Sequence, residues 1–300
     1  MADRPDSHVW HVDEHDLLIT HPDRLIWPED GLSKGDLLAY YRSMAPAMLP
    51  HFADRPVTLR SYPETIHGPA VYQRDLSGEA PAWLRVADYT GKTTDRTIQV
   101  PLVDSAAGLL WLANSGAVEF HLWNARAPDF ARPDQAIFDL DPGEHATFPD
   151  VLQTALAVRE VLEQQGLRGY PKTSGRTGLH VLVPLEPVLP QETVRAWVRG
   201  VAERLAAQHA GRIAVARGAT HAGNSVTIDY AQNSVARNLA APYTVRAAPG
   251  APVATPLTWD EVADGQVRPL DFTLHTVPGR VANRGDLFAA VLRADQQLPA

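Results

Sequence analysis

A chain of 300 residues with 45% hydrophobic and 21% charged residues holds enough apolar material for a substantial core, which rules out general disorder. Its net charge of −8 excludes a histone-like binder that works through its whole-molecule field, though not a local basic groove. The absence of cysteine excludes disulfides, thiolate metal sites and thiol catalysis.

The acidic, histidine-rich start lacks the basic-then-apolar pattern of a signal peptide, and no apolar run approaches the roughly 18–20 residues a membrane helix needs. A cytoplasmic protein without membrane contact is expected. Residues 1–15 read as a loose arm, with His8, His11 and His15 as solvated side chains rather than metal ligands. The apolar Leu17-Leu18-Ile19 follows. Ser33 is placed to cap a helix over 34–48, with Asp36 at its third position and Leu37, Tyr41, Met44 and Met48 at helical spacing. Short strands are predicted at 57–60, 98–103 and 118–123, with a short helix over 105–113. From 135 onward the pattern predicts a strand at 136–140, a helix over 149–165 closed by Gly166, and a strand at 179–185. A helix over 190–209, strands at 226–230 and 243–247, and helical pieces near 259–264 and 283–294 complete the chain. The fold class expected is mixed α/β (α+β), with a β-α-β-β-α-β order over 135–247 like the split βαβ, RRM-like arrangement.

Three local patterns carry chemistry. In Ile137-Phe138-Asp139-Leu140-Asp141-Pro142, strand alternation sends Asp139 and Asp141 to one face, about 6.5–7 Å apart at Cα. Paired carboxylates repel unless a cation sits between them, and their hard oxygens suit Mg²⁺ or Mn²⁺; the bland reading is a strand end capping its turn. In Ser225-Val226-Thr227-Ile228-Asp229-Tyr230, alternation puts Asp229 opposite the buried Val226 and Ile228. A third carboxylate on a neighbouring strand would complete a two-metal site for phosphoryl transfer. In Lys172-Thr173-Ser174-Gly175-Arg176-Thr177-Gly178-Leu179-His180, two glycines let the backbone turn sharply and aim N–H groups at an anion. Alone that loop is an ordinary hairpin; beside an acidic triad it reads as a triphosphate cradle, with Lys172, Ser174, Arg176 and His180 as donors.

Asp-x-Asp, then Ser-Gly-x-x-Gly-x-His, then a single strand aspartate resemble the three motifs of the archaeo-eukaryotic primase superfamily. FDLDPG (138–143), KTSGRTGLHVLVPL (172–185), IDYAQN (228–233) and APYTVRA (241–247) look like the polymerase domain of bacterial ligase D. So do DRLIWPEDGLSKGDLLAYY (23–41) and VDSAAGLLWLANSGAVEFHLW (103–123). The resemblance runs from about residue 17 to 290. It implies a primase-like catalytic core, with an N-terminal α/β part over 17–134 and an RRM-like catalytic part over 135–290. It implies a template-directed nucleotidyltransferase acting on DNA ends and gaps in bacterial non-homologous end joining, preferring ribonucleotides over deoxyribonucleotides and best supported by Mn²⁺. Carried over by position, Asp139, Asp141 and Asp229 hold the metals and His121 is an active-site histidine. Arg60, Lys172, Ser174, Gly175, Arg176, Gly178, His180 and Arg246 surround the nucleotide, and Arg24 and Lys34 grip the DNA 5′-phosphate. Implied partners are 5′-phosphorylated DNA ends, NTP or dNTP, Ku and a separately encoded DNA ligase, and the implied place is the nucleoid.

Two departures weaken the positive charge around a triphosphate. Arg176-Thr177 stand where the family usually has glycine and lysine, and His221-Ala222-Gly223-Asn224 replaces an Arg-x-Gly-Lys stretch. A catalytically weak DNA end-binding or bridging module is therefore the second reading, and a glycosyltransferase using Asp-x-Asp the third. The length and the absence of a Lys-x-Asp-Gly motif lead us to expect a stand-alone polymerase module.

Overall fold

The computed structural model describes residues 7–91, 95–216 and 223–299. From Ser7 the chain is a hairpin: β1 (Ser7–Val12) pairs antiparallel with β2 (His15–Thr20), Val12 opposite His15. The loose arm expected over the first fifteen residues is thus corrected from Ser7 onward; residues 1–6 lie outside the described ones. The cause is alternation in β2, which buries Leu17 and Ile19 and ties the hairpin to the core. The Asn114 amide reinforces it, accepting from the Thr20 N–H at 3.2 Å and donating to the Leu18 carbonyl at 3.0 Å.

A second small hairpin, β3 (Leu25–Trp27) and β4 (Leu32–Ser33), feeds α1 (Lys34–Phe52). Ser33 Oγ accepts from the Asp36 N–H at 3.2 Å while the Asp36 carboxylate accepts from the Ser33 N–H at 2.8 Å, the capping box the sequence announces. Leu37, Tyr41, Met44 and Met48 are buried as predicted. The helix continues through Pro50 to Phe52 because His51 and Phe52 are themselves buried, with His51 Nε2 2.8 Å from Asp286.

Next come β5 (Val57–Ser61), β6 (Val71–Gln73), β7 (Val86–Thr90), β8 (Thr97–Pro101), α2 (Ala106–Asn114) and β9 (Ala117–Trp123). They lead into β10 (Gln135–Pro142), α3 (Phe148–Gln164), β11 (Tyr170–Thr173), β12 (Leu179–Pro184), α4 (Gln191–Gln208), β13 (Ile213–Ala216), β14 (Val226–Asp229) and β15 (Asn238–Ala240). One sheet has the order β11-β12-β10-β14-β13, in which β10 is antiparallel to both its neighbours. This is the split βαβ arrangement, β10-α3-β11-β12-α4-β14, with β13 added parallel to β14. Val151, Leu152, Ala155 and Leu162 of α3 and Val194, Val198, Val201 and Leu205 of α4 supply buried faces to it. The other large sheet has the order β15-β9-β5-β6. Its edge strand β15 comes from the C-terminal half of the chain, so the two parts interlock.

Residues 243–247, expected as a strand, form no ladder. Tyr243 has φ 66°, and the segment makes only an isolated bridge, Val245 to Val253, beside Pro252. Its backbone runs irregularly against residues 252–254, with the Tyr243 N–H on the Ala254 carbonyl and the Arg246 N–H on the Pro252 carbonyl, both at 2.7 Å. Two short helices close the chain, α5 (Trp259–Asp264) and α6 (Val277–Arg284). The piece predicted over 283–294 is reduced to a 3₁₀ turn at Ala289–Arg293. Among the described residues no helix is long and apolar enough to cross a membrane.

Candidate active site

The two sheets meet at a cleft of about 270 Å³ lined by His121, Asp139, Asp141, Ser174, Arg176, Thr177, His180, Gln232, Asn238, Leu239, Ala240 and Arg246. One side is the end of β10 and the start of β12 with the β11–β12 loop; the other is β9, β15 and the segment around Arg246. Asp139 stands directly opposite Asp229 in the β10–β14 register, and opposite His180 in the β10–β12 register. Asp139 and Asp229 are each 6% exposed. Burial first, and the Asp229 charge second, push the Asp139 carboxyl up to about 7. Two carboxylates facing each other across adjacent strands form a donor set of hard oxygens suited to a divalent cation.

As the side chains stand, no group of three His, Asp or Glu residues among the described ones is assembled around a metal position. Asp229 Oδ1 accepts from the Ala231 N–H at 2.8 Å, while Asp139 Oδ1 lies 3.2 Å from His180 Nε2. That last contact has the geometry of an ion pair. Burial, with the Lys172 charge next, nevertheless keeps His180 well below its ordinary value, so it is a neutral imidazole donating to a carboxylate. With its proton on Nε2, His180 accepts at Nδ1 from Lys172 Nζ, 2.8 Å away.

Lys172 is therefore a correction. Expected among the nucleotide donors, its side chain is instead fully buried behind His180 and is absent from the cleft wall. Burial, then repulsion from Arg246, lowers its pKa well below the lysine range.

The glycine loop also works differently from a plain anion cradle. Ser174 Oγ accepts from the N–H groups of Arg176 at 3.2 Å and Gly178 at 3.1 Å, so these two donors serve the loop itself. Gly175 has φ +73°, and a Cβ there would meet Arg246 Cγ at 2.6 Å and the Ala254 nitrogen at 2.8 Å. At Gly178 a Cβ would meet the Leu140 carbonyl oxygen at 2.5 Å. The two glycines let the loop lie flat against Arg246 and β10. Arg246 Nη1 in turn donates to the Ser174 carbonyl.

Arg176 reaches into the cleft, its Nη2 donating to the Ala247 carbonyl at 3.0 Å and to Glu119 Oε1 at 3.3 Å. Arg60, on β5 and outside the cleft lining, has its guanidinium 3.6 Å from Glu119 Oε1, 5.4 Å from the Tyr62 ring and 5.3 Å from the Tyr72 ring. His121 and Glu119, two residues apart on β9, share a face, with His121 Nε2 2.9 Å from Glu119 Oε2. Burial first, and the Arg246 charge, outweigh that carboxylate and lower the His121 pKa. Sequence reasoning passes over Glu119; its signal is a lone glutamate inside the strand Ala117–Trp123, where every residue but His121 is buried.

Arg24 and Lys34 lie together at the start of α1, outside the cleft lining, joined by the Lys34 N–H on the Arg24 carbonyl at 2.8 Å. Arg24 Nε is buried without a hydrogen-bond partner. His221 and Ala222, the first half of the departing stretch, lie outside the described residues; the Gly223 carbonyl accepts from the His145 N–H at 3.1 Å.

The family model described as "LigD, primase-polymerase domain" matches residues 33–288. The multifunctional non-homologous end joining protein LigD of Mycolicibacterium smegmatis is 33% identical over 94% of this chain, which spans 37% of that protein. The multifunctional non-homologous end joining DNA repair protein LigD of Mycobacterium tuberculosis H37Rv is 34% identical over 91% of this chain and 37% of its own length. The bifunctional non-homologous end joining protein LigD of Bacillus subtilis is 27% identical over 94% of the chain and 45% of its own length. The chain thus spans less than half of these relatives. Among solved structures, the polymerase domain from Mycobacterium tuberculosis ligase D in complex with DNA superposes with a TM-score of 0.85 at 31% identity. That match covers 94% of this chain and 99% of the other. It displaces the glycosyltransferase reading.

Proposed function

The chain belongs to the ligase D primase-polymerase domain family, and from that premise we propose that it is a template-directed nucleotidyltransferase extending DNA ends and filling gaps in bacterial non-homologous end joining. The observation that carries the reading is the register of Asp139 against Asp229, with Asp141 two residues on, across the cleft from His121 and Arg246, while the Arg176 guanidinium reaches over from the β11–β12 loop. Acidic groups on one wall and guanidinium groups on the other suit a metal-bound triphosphate.

Asp139, Asp141 and Asp229 would hold Mn²⁺ or Mg²⁺. Bound there, a pair of divalent ions supplies activation of the attacking hydroxyl and neutralisation of charge on the leaving pyrophosphate. The chain's own residues do the rest. Arg246, Arg176 and Arg60 bind the phosphates through charge-assisted, bidentate-capable donors. His180, fixed by Lys172, holds Asp139 in place. Arg24 and Lys34 form a separate cationic pair, which we assign to the 5′-phosphate at a break. Ribonucleotide preference, a nucleoid location, and cooperation with Ku and a separately encoded ligase belong to this proposal and rest on family likeness.

Primer extension with Mn²⁺ on a gapped duplex tests it. Asp139→Ala should abolish extension while DNA affinity by fluorescence anisotropy persists, since removing a carboxylate removes repulsion from phosphates. Normal extension by that variant would sink the metal assignment. Tight end binding by a wild-type protein that never extends would instead favour the end-bridging module, the reading motivated by Thr177 and the 221–224 stretch.

A further inference from the structure

Glu119 has no task in the reading above, yet it is the most heavily engaged side chain near the cleft. It is 0% exposed. Its Oε1 accepts from the Ala247 N–H at 2.9 Å and from Arg176 Nη2 at 3.3 Å, and lies 3.6 Å from Arg60 Nη1. Its Oε2 accepts from His121 Nε2 at 2.9 Å and from Arg246 Nε at 3.1 Å. Burial alone would push this carboxyl up; the His121 hydrogen bond and the Arg246 charge hold it well below the usual carboxylate range. One negative charge therefore gathers three guanidinium groups that would otherwise repel one another.

The contacts fall into two tiers. Arg246 is close, its side chain is 11% exposed, and a second donor is committed to the Ser174 carbonyl. Arg176 and Arg60 are more distant and more open, at 37% and 21% exposure. Each also keeps a buried Nε with no hydrogen-bond partner. Unfulfilled donors on the two loosely held arginines point to an anionic ligand.

We propose that Glu119 is a positioning residue: it holds Arg60, Arg176 and Arg246 convergent on the cleft as a preassembled triphosphate clamp. The nucleotide's phosphates then take over Arg60 and Arg176 and meet Arg246 through Nη2, while the Arg246 Nε–H and His121 stay on Glu119. This rests on the polymerase reading, because the ligand is taken to be a nucleoside triphosphate.

A double-mutant cycle tests the coupling. Titration calorimetry with a non-hydrolysable ribonucleoside triphosphate, alongside steady-state primer extension, is run on Glu119→Gln, Arg176→Ala and the double variant. Each single change should weaken nucleotide binding about ten- to a hundredfold, the scale of one charge-assisted contact, and raise KM far more than it lowers kcat. The double variant should be little worse than the poorer single one. Additive losses, or a fall in thermal stability with KM unchanged, would overturn the proposal.

Arginine side-chain ¹⁵N spectra of the wild type guard against a Glu119→Gln chain that fails to fold. Nucleotide should shift the Nε–H signals of Arg60 and Arg176 and leave that of Arg246; movement of all three or of none refutes the two-tier arrangement. A wild type that binds no nucleoside triphosphate brings down the polymerase reading itself, whereas binding with additive losses removes only the role of Glu119.

Discussion

Lys34 carries an ammonium into a place that resists charge. It is 3% exposed, and its Nζ donates to the Thr20 carbonyl at 2.6 Å and the Thr20 hydroxyl at 3.2 Å. Burial first, then repulsion from Arg24, brings its pKa down to about 8. Because the folded value lies below the unfolded one, charging Lys34 penalises the fold below pH 8, and that penalty fades as pH rises from 8 toward the free-lysine range. An anion between Lys34 and Arg24 has the opposite demand, since it favours the charged form. A terminal phosphate is already a dianion above its second pKa of about 6, so above neutrality the lysine is the member of the pair that titrates. The preference for 5′-phosphorylated over 5′-hydroxyl DNA ends should therefore shrink between pH 7 and pH 9.5, while Lys34→Met should show a small preference at every pH. Competition anisotropy with the two ends measures it. A preference that holds steady across that window would separate Lys34 from the phosphate.

The elements that place these residues are legible in the sequence to different degrees, for physical reasons. The capping box at Ser33 and Asp36, the amphipathic α3 and α4, and the alternation in β10 are local signals, and each fold element they predict is present. Alternation also sends Asp139 and Asp141 to one face, but nothing local sets the register that brings Asp229 opposite Asp139. β11 reads YPKT, a proline and a buried lysine that leave no alternation to see, and residues 243–247 look like a strand only because the sequence cannot reveal that Pro252 stands opposite. Lys172 and Glu119 mislead in a shared way: each is polar by type and buried by context, so residue type assigns one to a ligand and passes over the other. Sequence patterning values the glycines of the loop for flexibility, whereas the fold needs them for closeness. Gly178→Ala would drive a Cβ into the Leu140 carbonyl, which is backbone and cannot move aside cheaply. Overpacking of this kind costs about 1–3 kcal/mol, so denaturant unfolding should report a loss on that scale. Extension should fall as well, because the loop lifts away from β10 and takes Ser174 with it. A variant as stable as the wild type would mean that the loop does not rest tightly on β10.

Across the whole molecule, the N-terminal and RRM-like parts are joined in a way their boundaries in the sequence do not suggest. β15, at residues 238–240, completes the sheet of β5, β6 and β9, with Ala240 opposite His121. Thr244 Oγ1 accepts from the Phe120 N–H at 2.8 Å, and the Tyr41 hydroxyl accepts from the Val245 N–H at 3.1 Å. One apolar cluster runs from Leu37, Tyr41 and Phe120 on one side to Phe138, Leu140 and Val245 on the other. The cleft sits on this seam, so catalytic geometry and cooperative folding draw on the same contacts. A fragment of residues 1–134 would leave β9 with an open edge at the position of β15 and expose the apolar surface that Tyr243–Ala247 and β10 cover. An open edge beside a bared core favours association over folding. The fragment should therefore show no cooperative melt by far-UV circular dichroism. The full chain should lose far-UV signal and tryptophan fluorescence at one temperature, because tryptophans fall on both sides of the seam, Trp27 and Trp123 on one and Trp197 and Trp259 on the other. A sharp, reversible transition in the isolated fragment, or two separated transitions in the full chain, would show that the parts are independent domains. The active-site cleft would then be an interface between independently folding parts, with the Glu119–Arg246 contact as one of the links across it.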